Sequence, residues 1–328
     1  MTVALVFTGG TIASRVDPAS GAVMPVLRGS EIIAATPGLA QIAPLEPIDW
    51  GLVPASHLRF SQLLEIAHLV DGALAQPEVS GAVVVQGTDS IEETCFTYDL
   101  LIRSAKPVVV TGAMRNASEP DYDGPRNLAD AVRVAATPAA EGLGTLVVLG
   151  GRIIGGDQAI KAHATALDAF QSRDGQPVGE VAEGRVTITR RRERRPLPSV
   201  PAAAAEPVAL ITVVTGMDGS LVRASAAAGA PPGLVIAGAG AGNMPPDVLA
   251  AASELIAQGT TVVLTTRCPA GAAQPAYGFP GGGAQGARAG LLIAPLDGPK
   301  CRVALALGLG AGLDRAGLER VLWATPSS

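Results

Sequence analysis

Short, nearly continuous apolar runs punctuate the chain: "TVALVF" (2–7), "GAVVVQ" (81–86), "PVVVTG" (107–112) and "GTLVVLG" (144–150). None alternates apolar with polar residues, as a half-solvated strand would, so each reads as a strand covered on both faces in a parallel sheet. Between them lie Ala/Leu-rich stretches with helical spacing. In "SHLRFSQLLEIAHLVDGALA" the pattern puts Leu58, Leu63, Ile66, Leu69 and Val70 on one stripe. Ser90 and Glu93 form an S-x-x-E capping box, which predicts a helix starting just after "QGTD". Asp123 is placed to cap "GPRNLADAVRVAA", with Pro125 near the first helical position, where a missing N–H is harmless. Strand, loop and helix repeat, and the expectation is a doubly wound α/β domain.

The pattern changes near residue 190. "RRRERRPLPSVPAAAAEP" (190–207) is charged, then rich in Pro and Ala, without any period, and it reads as the start of a solvated linker. A second α/β alternation follows, with runs at "VALITVVTG", "GLVIAGAGAG", "TTVVLTTR" and "CRVALALGLG" taken as its strands. The predicted fold is α/β with two doubly wound domains. A larger N-terminal domain with a mainly parallel sheet spans 1–190, a linker 191–207, and a smaller C-terminal α/β domain 208–328.

Composition then removes several function classes. Of the 328 residues, 48% are hydrophobic and only 16% charged, with a formal net charge of -5. That balance excludes a disordered chain and gives no reason to expect a nucleic-acid partner. No stretch approaches the roughly 18 to 20 apolar residues of a membrane span, and "VALVF" is too short for a signal segment. A cytoplasmic protein with no membrane partner is expected. Cys95, Cys268 and Cys301 are widely spaced, which is neither a disulfide framework nor a metal-ligand pattern.

Three strand ends carry the candidate chemistry: Thr8-Gly9-Gly10-Thr11, Gln86-Gly87-Thr88-Asp89, and Thr111-Gly112-Ala113-Met114-Arg115. In open α/β sheets ligands sit beyond the carboxyl ends of the strands. Glycine lets main-chain N–H groups approach such a ligand, and the helix after Asp89 aims its positive end there. Hydroxyls plus convergent N–H groups supply an oxygen nucleophile and an oxyanion site, the requirements of nucleophilic acyl transfer. A threonine hydroxyl needs a base. His57, His68 and His163 are candidates, but no Gly-x-Ser-x-Gly elbow accompanies them. Lys161, in "GGDQAIKAHAT" after a Gly-rich turn, can serve if its surroundings favour the neutral amine. The loop "GLVIAGAGAGNM" has Asn243 at the third glycine position of a dinucleotide fingerprint, so no nucleotide cofactor is expected.

Together "TGGTIAS" and "QGTDSIEET" closely resemble the two signature motifs of the bacterial-type L-asparaginase/glutaminase family. "KPVVVTGAMR" (106–115), "DGPRNLADAV" (123–132), Lys161 in its context and "RCPAGA" near 267 extend the resemblance essentially end to end. The resemblance implies an amidohydrolase in which Thr11 attacks a side-chain amide carbonyl to give an acyl-enzyme. It implies that Thr88, Asp89 and Lys161 form a second polar group, Lys161 acting as base or proton relay. It further implies an oxyanion hole from the N–H groups of Thr88 and Ala113, and that Ser56, beside His57, and Asp89 hold the substrate's α-carboxylate and α-ammonium. Neither cofactor nor metal is implied, and a homo-oligomer, dimer or tetramer, is.

Four departures bear on recognition. The family's lid tyrosine is missing from "RVDPASGAVMPVLRG", the chain's tyrosines being Tyr98, Tyr122 and Tyr277. His57 stands where glutamine is common, "GAGAGN" has Ala241 for a family asparagine, and "CPAGAAQPAYGFPGGGA" carries no carboxylate. Retained chemistry with altered recognition is the expectation, extending to monoamides without a free α-amino group. A homologue that binds a small molecule without turning it over is the alternative.

Overall fold

Runs that are apolar on both faces can bury both faces, and this one property organises the molecule. The computed structural model describes residues 1–323 and divides into two units, Met1–Pro196 and a second beginning at Leu197. In the first unit the strands are β1 (Thr2–Phe7), β2 (Leu45–Asp49), β3 (Val79–Val85), β4 (Val108–Thr111), β5 (Thr145–Leu149), β6 (Arg152–Gly155), β7 (Gly179–Ala182) and β8 (Arg185–Ile188). They form one eight-stranded sheet in the order β8-β7-β6-β5-β4-β3-β1-β2. From β2 through β5 neighbours run parallel, while β6, β7 and β8 add an antiparallel edge. Leu5, Val83, Val85 and Val109 are fully buried against Leu128 and Val132 of the helix Gly124–Ala135. Each such side chain contributes about 1.5–3 kcal/mol relative to leaving it in water.

Three helices matter to the site: α1 (Phe60–Leu74), α2 (Ile91–Leu101) and α3 (Gly124–Ala135). On α1 the buried stripe is Phe60, Leu63, Ile66, Ala67, Val70, Ala73 and Leu74. Leu58 precedes the helix, and Leu69 is only half-buried, so the expected stripe is rotated toward Phe60 and the alanines. Both expected caps sit at helix starts without capping. The Ser90 hydroxyl donates instead to the Ala55 carbonyl at 3.1 Å, and the Asp123 carboxylate turns back toward the loop after β4. In each case a loop N–H or C=O that α/β topology brings close competes successfully with the helix's own first turn.

The arginines expected to open a solvated linker do not all face solvent. Arg192 and Arg194 are half-buried residues whose side chains, 6% and 13% exposed, lie against the buried Asp99 of α2. Arg192 reaches Asp99 at 2.6 Å and Asp157 at 2.5 Å, and also donates to the Leu143 carbonyl. The burial of Asp99 alone would raise its pKa, but Arg192 and Arg194 outweigh it and hold the carboxyl below its ordinary range.

In the second unit β9 (Val208–Thr212), β10 (Gly233–Gly238), β11 (Thr261–Thr266) and β12 (Leu292–Ile293) form a parallel sheet in that order. The run "CRVALALGLG", expected as a strand, is part of the helix Gly298–Gly310. Its Asp297 side chain accepts from the Lys300 N–H as N-cap, and Pro299 occupies the first turn. With Val303 through Leu307 all buried, the helix is apolar on every side, so periodicity could not distinguish it from a strand. Among the described residues no helix is long and apolar enough to cross a membrane.

Candidate active site

The carboxyl ends of β1, β3 and β4 meet because glycines let their loops touch. Gly9 and Gly10 have φ of 110° and 88°, a region other residues rarely enter. A Cβ on Gly10 would lie 2.1 Å from the Gly87 backbone, so the β1 loop crosses directly over the β3 loop. A Cβ on Gly112 would meet the Gln86 carbonyl at 2.5 Å and the Thr88 methyl at 3.2 Å, which brings the β4 loop to the same place. Thr11 begins a single 3-10 turn, Thr11–Ala13, and Thr88 begins another, Thr88–Ser90, at the foot of α2. A third short turn, Ala55–His57, is tied to this junction by the bond from Ser90 to Ala55, which leaves Ser56 and His57 exposed beside it.

Lys161 arrives from the short strand Ala159–Lys161, which pairs with Phe170–Ser172. Its Nζ lies 2.9 Å from Thr88 Oγ1 and 2.9 Å from Asp89 Oδ1. The backbone N–H of Lys161 donates to the Glu92 carboxylate at 3.0 Å, so α2 holds its main chain while the Thr88–Ser90 turn before that helix holds its side chain. The structure therefore bonds Thr88, Asp89 and Lys161 directly and sets Thr11, Ser56, His57 and Ala113 on the abutting loops. His68 lies on the exposed side of α1. His163 Nδ1 accepts the N–H groups of Thr165 and Ala166, a turn-closing role.

The β4 loop is fixed by α3. The Asp123 carboxylate accepts from the N–H groups of Met114 and Arg115 at 2.9–3.1 Å, and Asn127 donates to the Gly112 carbonyl at 3.1 Å. Sequence reasoning missed Glu92, Asn127 and this use of Asp123. Their partners lie 8 to 69 residues away, and the acidic and amide side chains of "IEET" and "DGPRN" were the available signal.

The stretch where the resemblance implies a lid forms an antiparallel hairpin, Ser14–Val16 with Val23–Pro25, whose Val16, Val23 and Met24 are exposed. No tyrosine lies in it, but the Tyr122 hydroxyl reaches the adjacent turn and donates to the Ile12 carbonyl at 2.7 Å.

Residues 2–194 match the family model described as Asparaginase, N-terminal, and residues 207–322 match the Glutaminase/Asparaginase C-terminal domain. The chain belongs to the asparaginase/glutaminase family. It is an amidohydrolase by that membership. This asparaginase-family chain is 36% identical to a probable L-asparaginase of Deinococcus radiodurans, over 97% of this chain and 96% of that one. It is 30% identical to an L-asparaginase of Bacillus licheniformis, over 94% and 95% of the two chains. The crystal structure of a probable cytoplasmic L-asparaginase from Campylobacter jejuni superposes with a TM-score of 0.86 at 26% identity, covering 99% of each chain. The two-sheet α/β architecture is thus the asparaginase fold.

Proposed function

We propose that the chain hydrolyses the side-chain amide of L-asparagine, or of a closely related small carboxamide, through an acyl-enzyme on Thr11, releasing ammonia. The observation that carries the reading is Lys161, whose Nζ lies within 2.9 Å of both the Thr88 hydroxyl and the Asp89 carboxylate at the junction of the three strand ends. Thr11 Oγ attacks the amide carbonyl, its proton leaves toward this polar group, and the carbonyl oxygen becomes an oxyanion facing the Thr88 and Ala113 N–H groups. Collapse breaks the C–N bond, and the departing nitrogen takes up a proton as ammonia. Water then attacks the threonyl ester, and collapse breaks the bond from the acyl carbon to Thr11 Oγ, which takes back a proton as the carboxylic acid leaves. Thr88 orients that water, Lys161 relays its proton, and Asp89 holds the Lys161 side chain against Thr88. Ser56 and Asp89 bind the α-carboxylate and α-ammonium of the substrate. The substrate assignment is supported by the names of the Deinococcus and Bacillus relatives. We read the working form as a homo-oligomer.

Lys161→Met is the direct test. Removing a positioned proton acceptor lowers kcat by about 10²- to 10⁴-fold, with substrate binding largely kept. Ammonia release at saturating amide measures it. A variant that binds poorly but turns over at the normal rate would contradict the role.

A second reading concerns the substrate. Asp89 Oδ1 and Glu92 Oε2 each already accept one hydrogen bond from Lys161, so Asp89 shares its charge with the lysine before any substrate arrives. An α-ammonium left short of negative partners in a desolvated site binds weakly. His57, an imidazole beside Ser56, adds no negative charge. Succinamate, which has no α-amino group, is accordingly expected to be used at least as well as L-asparagine in side-by-side kcat/KM measurements. Efficient asparagine hydrolysis without succinamate turnover would eliminate this second reading.

A further inference from the structure

The turn that bears Thr11 has an uneven hydrogen-bond account. The Gly10 carbonyl accepts from the Ala13 N–H and the Ser14 hydroxyl, the Thr11 carbonyl from the Ser14 N–H, and the Ala13 carbonyl from the N–H groups of Val26 and Leu27. All of these partners come from the same loop and hairpin. The Ile12 carbonyl, on a residue with no solvent exposure, is served from 110 residues away by the Tyr122 hydroxyl. A short 3-10 turn satisfies few of its own carbonyls, and a buried one without a partner is costly.

The next residue, Asp123, does the equivalent task for the β4 loop by accepting from the Met114 and Arg115 N–H groups. Two consecutive residues therefore hold the two turns whose spacing matters most under the proposed chemistry. Two further bonds tie the same elements together: the Ala117 N–H donates to the Ser14 carbonyl, and the Val16 N–H to the Ser118 hydroxyl. Gly124 completes the arrangement. A Cβ at that position would sit 2.4 Å from the Tyr122 ring, so the ring can lie where it does only over a glycine.

We propose that Tyr122 is a positioning residue that sets the nucleophile turn of Thr11 against the Ala113 N–H, acting through the Ile12 carbonyl. It works from the β4–α3 loop, in a chain whose lid hairpin has no tyrosine of its own. Burial first, and then the neighbouring Asp123 charge, push the Tyr122 phenol up to about 12, so it remains a donor throughout the working pH range. This inference rests on the reading of Thr11 as nucleophile.

The test compares wild type with Tyr122→Phe and Gly124→Ala, the second of which displaces the ring without removing the hydroxyl. An ångström of misplacement at a reacting atom costs up to about 100-fold in rate. Both variants are expected to lose kcat for ammonia release by roughly 10- to 100-fold, with KM changed less than about three-fold. The double variant should be little worse than either single one. In parallel, amide hydrogen exchange of residues 11–14 should accelerate in Tyr122→Phe, with the melting transition still cooperative. Wild-type kcat in Tyr122→Phe, or a loss that falls on KM instead, would overturn the inference while leaving the amidohydrolase reading in place. Unchanged exchange at residues 11–14 would overturn it whatever the activity. A wild-type protein that releases no ammonia from any carboxamide would instead overturn the reading of Thr11 on which it rests.

Discussion

Thr11→Ala is expected to lower ammonia release by roughly 10⁴- to 10⁶-fold while leaving the protein folded. The substitution deletes one hydroxyl at the start of a single 3-10 turn. Every backbone bond that shapes the turn is made by other groups: the Gly10 carbonyl with Ala13 and Ser14, the Ile12 carbonyl with Tyr122, and the Ala13 carbonyl with Val26 and Leu27. Stability should therefore change by no more than about 0.5 kcal/mol, as for other changes away from packed or paired groups. Thr88→Ala is a different perturbation, because Thr88 is buried and bonded to Lys161. Near wild-type rates in Thr11→Ala together with a dead Thr88→Ala would exchange the roles of the two threonines.

Arg192→Leu is expected to have the largest effect on stability, about 3–5 kcal/mol, or a fall of roughly 10 °C in the melting temperature of a unit this size. Arg192 is 6% exposed and sits between the carboxylates of Asp99 and Asp157, themselves 3% and 6% exposed. Removing it leaves Asp99 with the ion pair to Arg194. In wild type the folded pKa of Asp99 is depressed, so its contribution is present above the unfolded carboxyl value near 3.9 and lost as pH falls through the lower folded value. In the variant, burial is less well opposed and favours the protonated acid. The deficit of Arg192→Leu should thus be greatest near neutrality and narrow on acidification. Thermal unfolding at several pH values measures it, and an Arg192→Leu protein as stable as wild type near neutrality would show that the cluster is not buried.

Much of the fold was legible because the central strands are buried on both faces. β1, β3, β4 and β5 lie within two residues of their apolar runs. Edge strand β2, "LEPID", was not, since an edge needs neither continuous apolarity nor freedom from proline, and Pro47 is tolerated there. The helix Gly298–Gly310 was misread for the opposite reason, burial on all sides having erased its period. Arg192 and Arg194 looked like a solvated run because their partner at Asp99 lies 93 and 95 residues earlier, a pairing that only topology creates.

The site divides along the same line. Thr11, Thr88, Asp89 and Lys161 were visible as strand-end and motif residues, and the structure bonds the last three together. The groups that hold them in place were not visible. Glu92 serves a backbone N–H, Asp123 serves two, and Tyr122 serves a carbonyl, and side-chain to main-chain partnerships of this kind leave no spacing rule in the sequence.

Trapping the acyl-enzyme tests the central claim most directly. Wild-type protein mixed with L-asparagine, or with succinamate, and quenched in acid during turnover is digested and its peptides weighed. Expected is the substrate's acyl group on the peptide that contains Thr11, localised to that residue and absent from Thr11→Ala. Steady ammonia release with the acyl group on Thr88, or with no acylated peptide at any quench time in a protein whose turnover is limited by deacylation, would contradict a Thr11 acyl-enzyme.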